Sequence, residues 1–179
     1  LVEKWKKLAQ DQGIIVAGPD SINTAEWGAP IDGPNFLRDV AEKVSADYQV
    51  DRRRIYLFGH SAGAGFALQI GLVESQYFAA AAVHAGALDT DRYGLMDLAT
   101  RKIPFILFIG TKDDRVPLDS VRSTTNALKK GGFVAELIEM TGHTHDYYRS
   151  ADAINQEAWE FLSKYALQAD PQFTQYQNM

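Results

Sequence analysis

Ser61 stands at the centre of Gly59-His60-Ser61-Ala62-Gly63, directly after the apolar run Tyr56-Leu57-Phe58. A serine hydroxyl is a weak nucleophile at neutral pH. It becomes a useful one when a base takes its proton and a carboxylate orients that base. The chain has no cysteine, which excludes disulfides, thiolate catalysis and cysteine-based zinc sites. Among the four histidines, His60 lies inside the glycine-bracketed turn, and His84 falls in an alanine-rich apolar run, where a packed or pocket-lining role is expected. His143 and His145, in Thr141-Gly142-His143-Thr144-His145-Asp146-Tyr147-Tyr148, remain as candidate bases. The candidate carboxylates are Asp113 and Asp114, in Gly110-Thr111-Lys112-Asp113-Asp114-Arg115-Val116-Pro117. Nucleophile, acid and base therefore follow one another along the chain in that order.

These groups need elements that bring them to one place. Val2, Trp5, Leu8 and Ala9 recur at helical spacing over residues 1–12, and Gly13 ends the pattern. The run GIIVAGPD (13–20) reads as a buried parallel strand, and residues 21–34 as an irregular connection. Phe36, Val40, Val44 and Tyr48 keep a 3.6-residue period and predict a helix. The remaining expectations are strands at 53–59, 78–86, 103–110 and 133–140, alternating with helices at 62–76, 118–130 and 151–166. A short mobile segment is expected up to about residue 102. Such alternation predicts an α/β fold with a mostly parallel sheet and helices on both faces. The expected division is one domain over 1–166 and a loose polar tail over 167–179, interrupted by Pro171.

In an open parallel sheet, ligands bind beyond the carboxyl ends of the strands. Ser61, the Asp113/Asp114 pair and the His143/His145 pair each follow a predicted strand at that edge. Gly-x-Ser-x-Gly between strand and helix is the pattern of a nucleophile elbow, in which the serine occupies a strained turn and exposes its hydroxyl above the sheet. Glycines two residues to either side let strand and helix approach closely. The helix that starts after Ser61 presents unpaired N–H groups and a positive dipole end to any anion forming there, so the Ala62 N–H is the expected oxyanion donor.

The net charge of −5 repels phosphate-bearing partners and argues against nucleic-acid binding. No apolar run reaches the roughly 20 residues that cross a bilayer, and the N-terminus LVEKWKKLAQDQG lacks a signal-peptide pattern. The expectation is a soluble protein with no membrane span, its compartment and oligomeric state not specified by the sequence.

Taken together, DRRRIYLFGHSAGAGFA, GTKDDRVP and GHTHDYY resemble the α/β-hydrolase esterases, in particular the group of polyhydroxybutyrate depolymerases, feruloyl esterases and acetyl-xylan-type carbohydrate esterases. The likeness extends from Trp5 to about Phe161. It implies a G-x-x-D-x-x-V-P acid pattern on Gly110, Asp113, Val116 and Pro117, which selects Asp113, and a G-x-x-H base pattern on Gly142 and His145, which selects His145. The implied activity is hydrolysis of carboxylic esters through an acyl-enzyme by Ser61, Asp113 and His145, with no cofactor and no metal. Small-molecule or polymer esters would be the substrates. The stretch between Gly86 and Ile103 is short for a lipase-type lid, which favours short or aromatic acyl groups.

The sequence departs from the resemblance at its start. The glycine-rich loop that would supply a second oxyanion donor is not found, and the family strand order 1-2-4-3-5-6-7-8 calls for a strand between those at 13–20 and 53–59. The expectation is therefore an N-terminally incomplete hydrolase domain. A thioesterase or peptidase using the same three residues, or a non-catalytic protein that keeps the fold for binding, are the competing readings.

Overall fold

Among the described residues, four strands with period-two side-chain alternation form the sheet: β1 (Tyr56–His60), β2 (Ala80–His84), β3 (Phe105–Gly110) and β4 (Ala135–Met140). The computed structural model describes residues 1–22, 27 and 32–174. The strands are all parallel in the order β1-β2-β3-β4, with Gly59 beside Val83, Val83 beside Leu107 and Leu107 beside Leu137. Helices connect them, as parallel neighbours require: α3 (Ala62–Val73) after β1, the short α4 (Leu95–Leu98) after β2, α5 (Leu118–Lys130) after β3, and α6 (Ala151–Leu162) after β4. Two further helices, α1 (Lys6–Gln12) and α2 (Pro34–Asp47), precede the sheet.

Alternation sorts the core into two layers. Ala81, Val83, Phe105, Leu107 and Ile109 face the α3 and α5 side, where Leu68, Leu72, Val121 and Leu128 are buried. Ala80, Ala82, Ile106 and Phe108 face the opposite side, against Trp5, Ile154, Ala158 and Phe161. β2 and β3 are buried throughout, which is why they read as continuous apolar runs. The same alternation puts His60 and His84 in register at the carboxyl ends of β1 and β2, on the α6 side.

Several expectations differ from the structure. Residues 14–20 form no strand. A strand exists by its ladder, and this stretch finds no partner strand among the described residues; Ile15 is 46% exposed, and only Val16 packs against the α6-side core. β1 likewise has β2 on one side and no strand on the other among the described residues. The segment before residue 102 is ordered by a 3-10 turn at Thr90–Arg92 and by α4, whose Met96 is buried, and Arg101 ties it down by donating to the carbonyls of Ser75, Phe78 and Ala79. Nor is the tail loose as far as residue 174. Leu167 is buried and its N–H donates to the Arg53 carbonyl, while Phe173 lies edge-on to Tyr77 beneath the Arg38 guanidinium. Two apolar side chains in a polar stretch are enough to anchor it. The irregular connection expected at 21–34 falls largely outside the described residues.

Candidate active site

The turn after β1 is strained in the way a nucleophile elbow requires. Ser61 adopts φ 58° and ψ −122°, a conformation that costs a residue with a side chain on the order of 1–3 kcal/mol. Its N–H donates to the His84 carbonyl at 3.0 Å, which anchors the turn to β2. A Cβ at Gly59 would stand 2.2 Å from the Gly63 carbonyl oxygen, and one at Gly86 would stand 2.3 Å from the Ala64 Cβ. Both neighbours are fixed helix atoms. Gly59→Ala should lower stability by at least about 1–3 kcal/mol, the usual cost of overpacking. Chemical denaturation measures this, and an unchanged midpoint would contradict the close approach.

The loops after β3 and β4 are sewn together. Lys112 N–H donates to the His143 carbonyl, the Gly142 N–H donates to Thr111 Oγ1 at 2.8 Å, and a Cβ at Gly110 would collide with the His143 carbonyl oxygen. Gly142 itself has φ 74°. This pairing brings the two loops' side chains together over Ser61. His145 Nε2 is 2.8 Å from Ser61 Oγ, and His145 Nδ1 is 3.1 and 3.0 Å from the two carboxylate oxygens of Asp113. The Asp113 side chain is fully buried, and its Oδ1 accepts the N–H groups of Arg115 and Val116. Burial alone would raise its pKa, but those two N–H groups and the His145 imidazole hold it below the ordinary carboxylate value. Asp114 is exposed, and the carboxylate that faces His145 Nδ1 is that of Asp113. The Ala62 N–H is at the first turn of α3, where backbone donors have no partner within the helix.

The other three histidines assemble beside this trio, which the sequence did not reveal. His60 projects to the α6 side, where its ring centroid lies 5.0 Å from that of His145 and 5.0 Å from that of His84. His84 is fully buried. The His143 ring is within hydrogen-bond distance of His84 and Ser150, and the hydrogen bonds to Ser61 Oγ and the Asp113 carboxylate are made by His145 instead. Tyr147, also buried, packs on His60 and His84 and donates its hydroxyl to Asn155. Period-two reading could have paired His60 with His84, since both end strands on even positions; nothing in the sequence placed Ser150.

Burial first, then the neighbouring His60, His143 and His145, pushes His84 from 6.5 down to about 3, and burial lowers His60 and His143 as well. The folded chain binds fewer protons than the unfolded one between pH 6.5 and about 3, so this stability is complete above pH 6.5 and is lost as pH falls through that window. Urea midpoints should therefore drop between about pH 7 and pH 5, before most carboxylates titrate. A flat profile there would contradict the uncharged cluster.

An open cavity of about 580 Å³ adjoins His145 and is lined by His60, Lys112, Arg115, Asp146, Tyr147 and Tyr148, among others. Tyr148 is 52% exposed. Among the described residues no group of three or more His, Asp or Glu is placed to hold a metal ion, and no helix is long and apolar enough to cross a membrane.

The profile of the prolyl oligopeptidase family matches residues 36–102, less than half of the chain, and no curated protein matches. Among solved structures, the chain is similar to esterase PE8 at 24% identity and a TM-score of 0.61, over 73% of this chain and 59% of that one. It is also similar to Arabidopsis thaliana SOBER1, at 16% identity and a TM-score of 0.61, over 73% and 61% of the two chains. An uncharacterized protein from Bacillus cereus ATCC 10987 has 20% identity and a TM-score of 0.74 over 91% of this chain and 55% of that one. The chain thus spans about three fifths of the length of the PE8 and SOBER1 structures. Fold and likenesses define the class: this is an α/β-hydrolase fold, of which the described residues form four parallel strands. The narrower grouping with depolymerases and feruloyl esterases goes beyond these likenesses.

Proposed function

We propose that the chain is a serine hydrolase that cleaves carboxylic esters through an acyl-enzyme. One arrangement carries the reading: a hydroxyl at 2.8 Å from an imidazole nitrogen whose other nitrogen faces a buried carboxylate at 3.0 Å. These are the contacts a general base needs on both sides. Ser61 Oγ bonds to the ester carbonyl carbon while its proton passes to His145 Nε2. Asp113 keeps the Nδ1 proton in place and stabilises the imidazolium. The Ala62 N–H donates to the developing oxyanion. Collapse expels the alcohol, which takes the proton from His145. Water, deprotonated by His145, then attacks the acyl carbon and releases the carboxylic acid and Ser61. No step calls for a cofactor or metal.

Amide cleavage is the second reading, favoured by the prolyl oligopeptidase profile and by the 18% identical Pyrococcus horikoshii acylaminoacyl peptidase, with a TM-score of 0.56 over 73% of this chain and 26% of that one. Rates on p-nitrophenyl esters of graded acyl length, on acyl-thioesters and on aminoacyl p-nitroanilides separate the readings. Highest kcat/KM on short or aromatic esters is expected; preference for the anilides would replace the esterase reading by the peptidase one.

A further inference from the structure

We infer that His60, His84 and His143 are positioning residues for His145, linked as one hydrogen-bonded chain of imidazoles that fixes the wall on which the base packs. The inference rests on the reading of His145 as the base. Its geometry is continuous. His60 Nδ1 is 2.9 Å from His84 Nδ1, His84 Nε2 is 3.2 Å from His143 Nε2, and His143 Nδ1 is 3.3 Å from Ser150 Oγ. His84, fully buried, spends both ring nitrogens on other imidazoles.

Each imidazole contact joins two ring nitrogens, so one must carry a proton and the other a lone pair. A neutral imidazole has one of each. The chain therefore has two neutral arrangements. In the first, His60 Nδ1–H donates to His84, His84 Nε2–H donates to His143, and His143 Nδ1–H donates to Ser150. In the second, every donor and acceptor is exchanged, and the Ser150 hydroxyl donates to His143 Nδ1. In both, His60 and His143 share a tautomer and His84 holds the opposite one.

The consequence reaches the base through His60. That residue ends β1, borders the open cavity and is only partly buried, so packing alone does not fix its ring. The bond to His84 does, and the ring so fixed lies against His145 at 5.0 Å. His145 must hold both Ser61 and Asp113, and misplacing such a group by about 1 Å can cost on the order of a hundredfold in rate.

His143 gives the test, because its ring bonds go to His84 and Ser150 and not to Ser61 or Asp113, and it can be altered in two opposite ways. His143→Gln keeps a polar group near the position of Nε2 and loses the ring; His143→Phe keeps the ring and loses the hydrogen bonds. If the chain acts as inferred, kcat of the Gln variant stays within about threefold of the parent, while the Phe variant loses about tenfold or more in kcat with KM unchanged. A Phe variant as active as the parent, or equal loss in both, would mean that His143 serves packing alone and would overturn the inference. Nitrogen-15 spectra of the imidazoles in the unmodified protein test the chain without turnover. His84 must be neutral and opposite in tautomer to both His60 and His143; all three in the same tautomer overturns the chain. If the spectra show the opposed tautomers but Ser61→Ala retains the parent's ester hydrolysis, the reading of His145 as base has failed and the chain has not.

Discussion

Ser61→Ala is expected to abolish ester hydrolysis, with a loss in kcat on the order of 10⁴-fold or more, while the protein keeps its fold. The hydroxyl is the one atom that His145 Nε2 addresses at 2.8 Å, so its removal leaves a base with nothing to deprotonate. The chain has no cysteine that could stand in for it. The fold survives because the side chain makes no capping bond in α3, and the turn is held by the Ser61 N–H to His84 carbonyl bond, which alanine retains. Ser61→Gly sharpens the claim about strain. At φ 58° and ψ −122° glycine is the unstrained residue, so this variant should be inactive yet more stable than Ser61→Ala by about 1 kcal/mol. Thermal unfolding measures the difference. A glycine variant less stable than the alanine one would show that the elbow is not strained.

Asp113→Asn should lose nearly as much, about 10⁴-fold in kcat, through the wrong tautomer. Oδ1 accepts two backbone N–H groups, from Arg115 and Val116, so the asparagine carbonyl must take that place. The amide NH₂ then occupies the position of Oδ2, 3.0 Å from His145 Nδ1, and donates where the carboxylate accepted. His145 is driven to carry its proton on Nε2, facing Ser61 with a donor where a lone pair is needed. Asp114→Asn, at an exposed carboxylate outside this network, should change kcat by less than about threefold. Should Asp114→Asn be the damaging change, the acid assignment would be wrong.

Much of this was legible in sequence because chemistry at a parallel-sheet edge leaves local marks. The apolar run before Ser61, the flanking glycines and the 3.6-residue period after it define strand, turn and helix without tertiary information. The bounds of α5 and the burial of β2 and β3 follow the same local logic. Two readings failed, and one feature went unread, for nonlocal reasons. Residues 14–20 have strand composition but lack a ladder partner among the described residues, and composition cannot supply one. The tail holds two apolar side chains in a polar stretch, and their docking depends on Tyr77, Arg53 and Arg38 far away in the chain. The histidine cluster was hidden because its members lie 24 and 59 positions apart and meet only once β1, β2 and the loop after β4 are assembled. From the residues alone His143 and His145 stood equal. Sheet geometry separates them by aiming one at Ser61 and the other at His84.

The central claim is that Ser61 is a nucleophile activated by His145. Its most direct measurement is labelling by a fluorophosphonate, which reacts with an activated serine and forms a stable phosphonyl ester, followed by peptide mass mapping. The account predicts one adduct, on Ser61, that is lost in Ser61→Ala and in His145→Ala and kept in Asp114→Asn. Labelling that persists in His145→Ala at the parent's rate, or an adduct on any other residue, would contradict it.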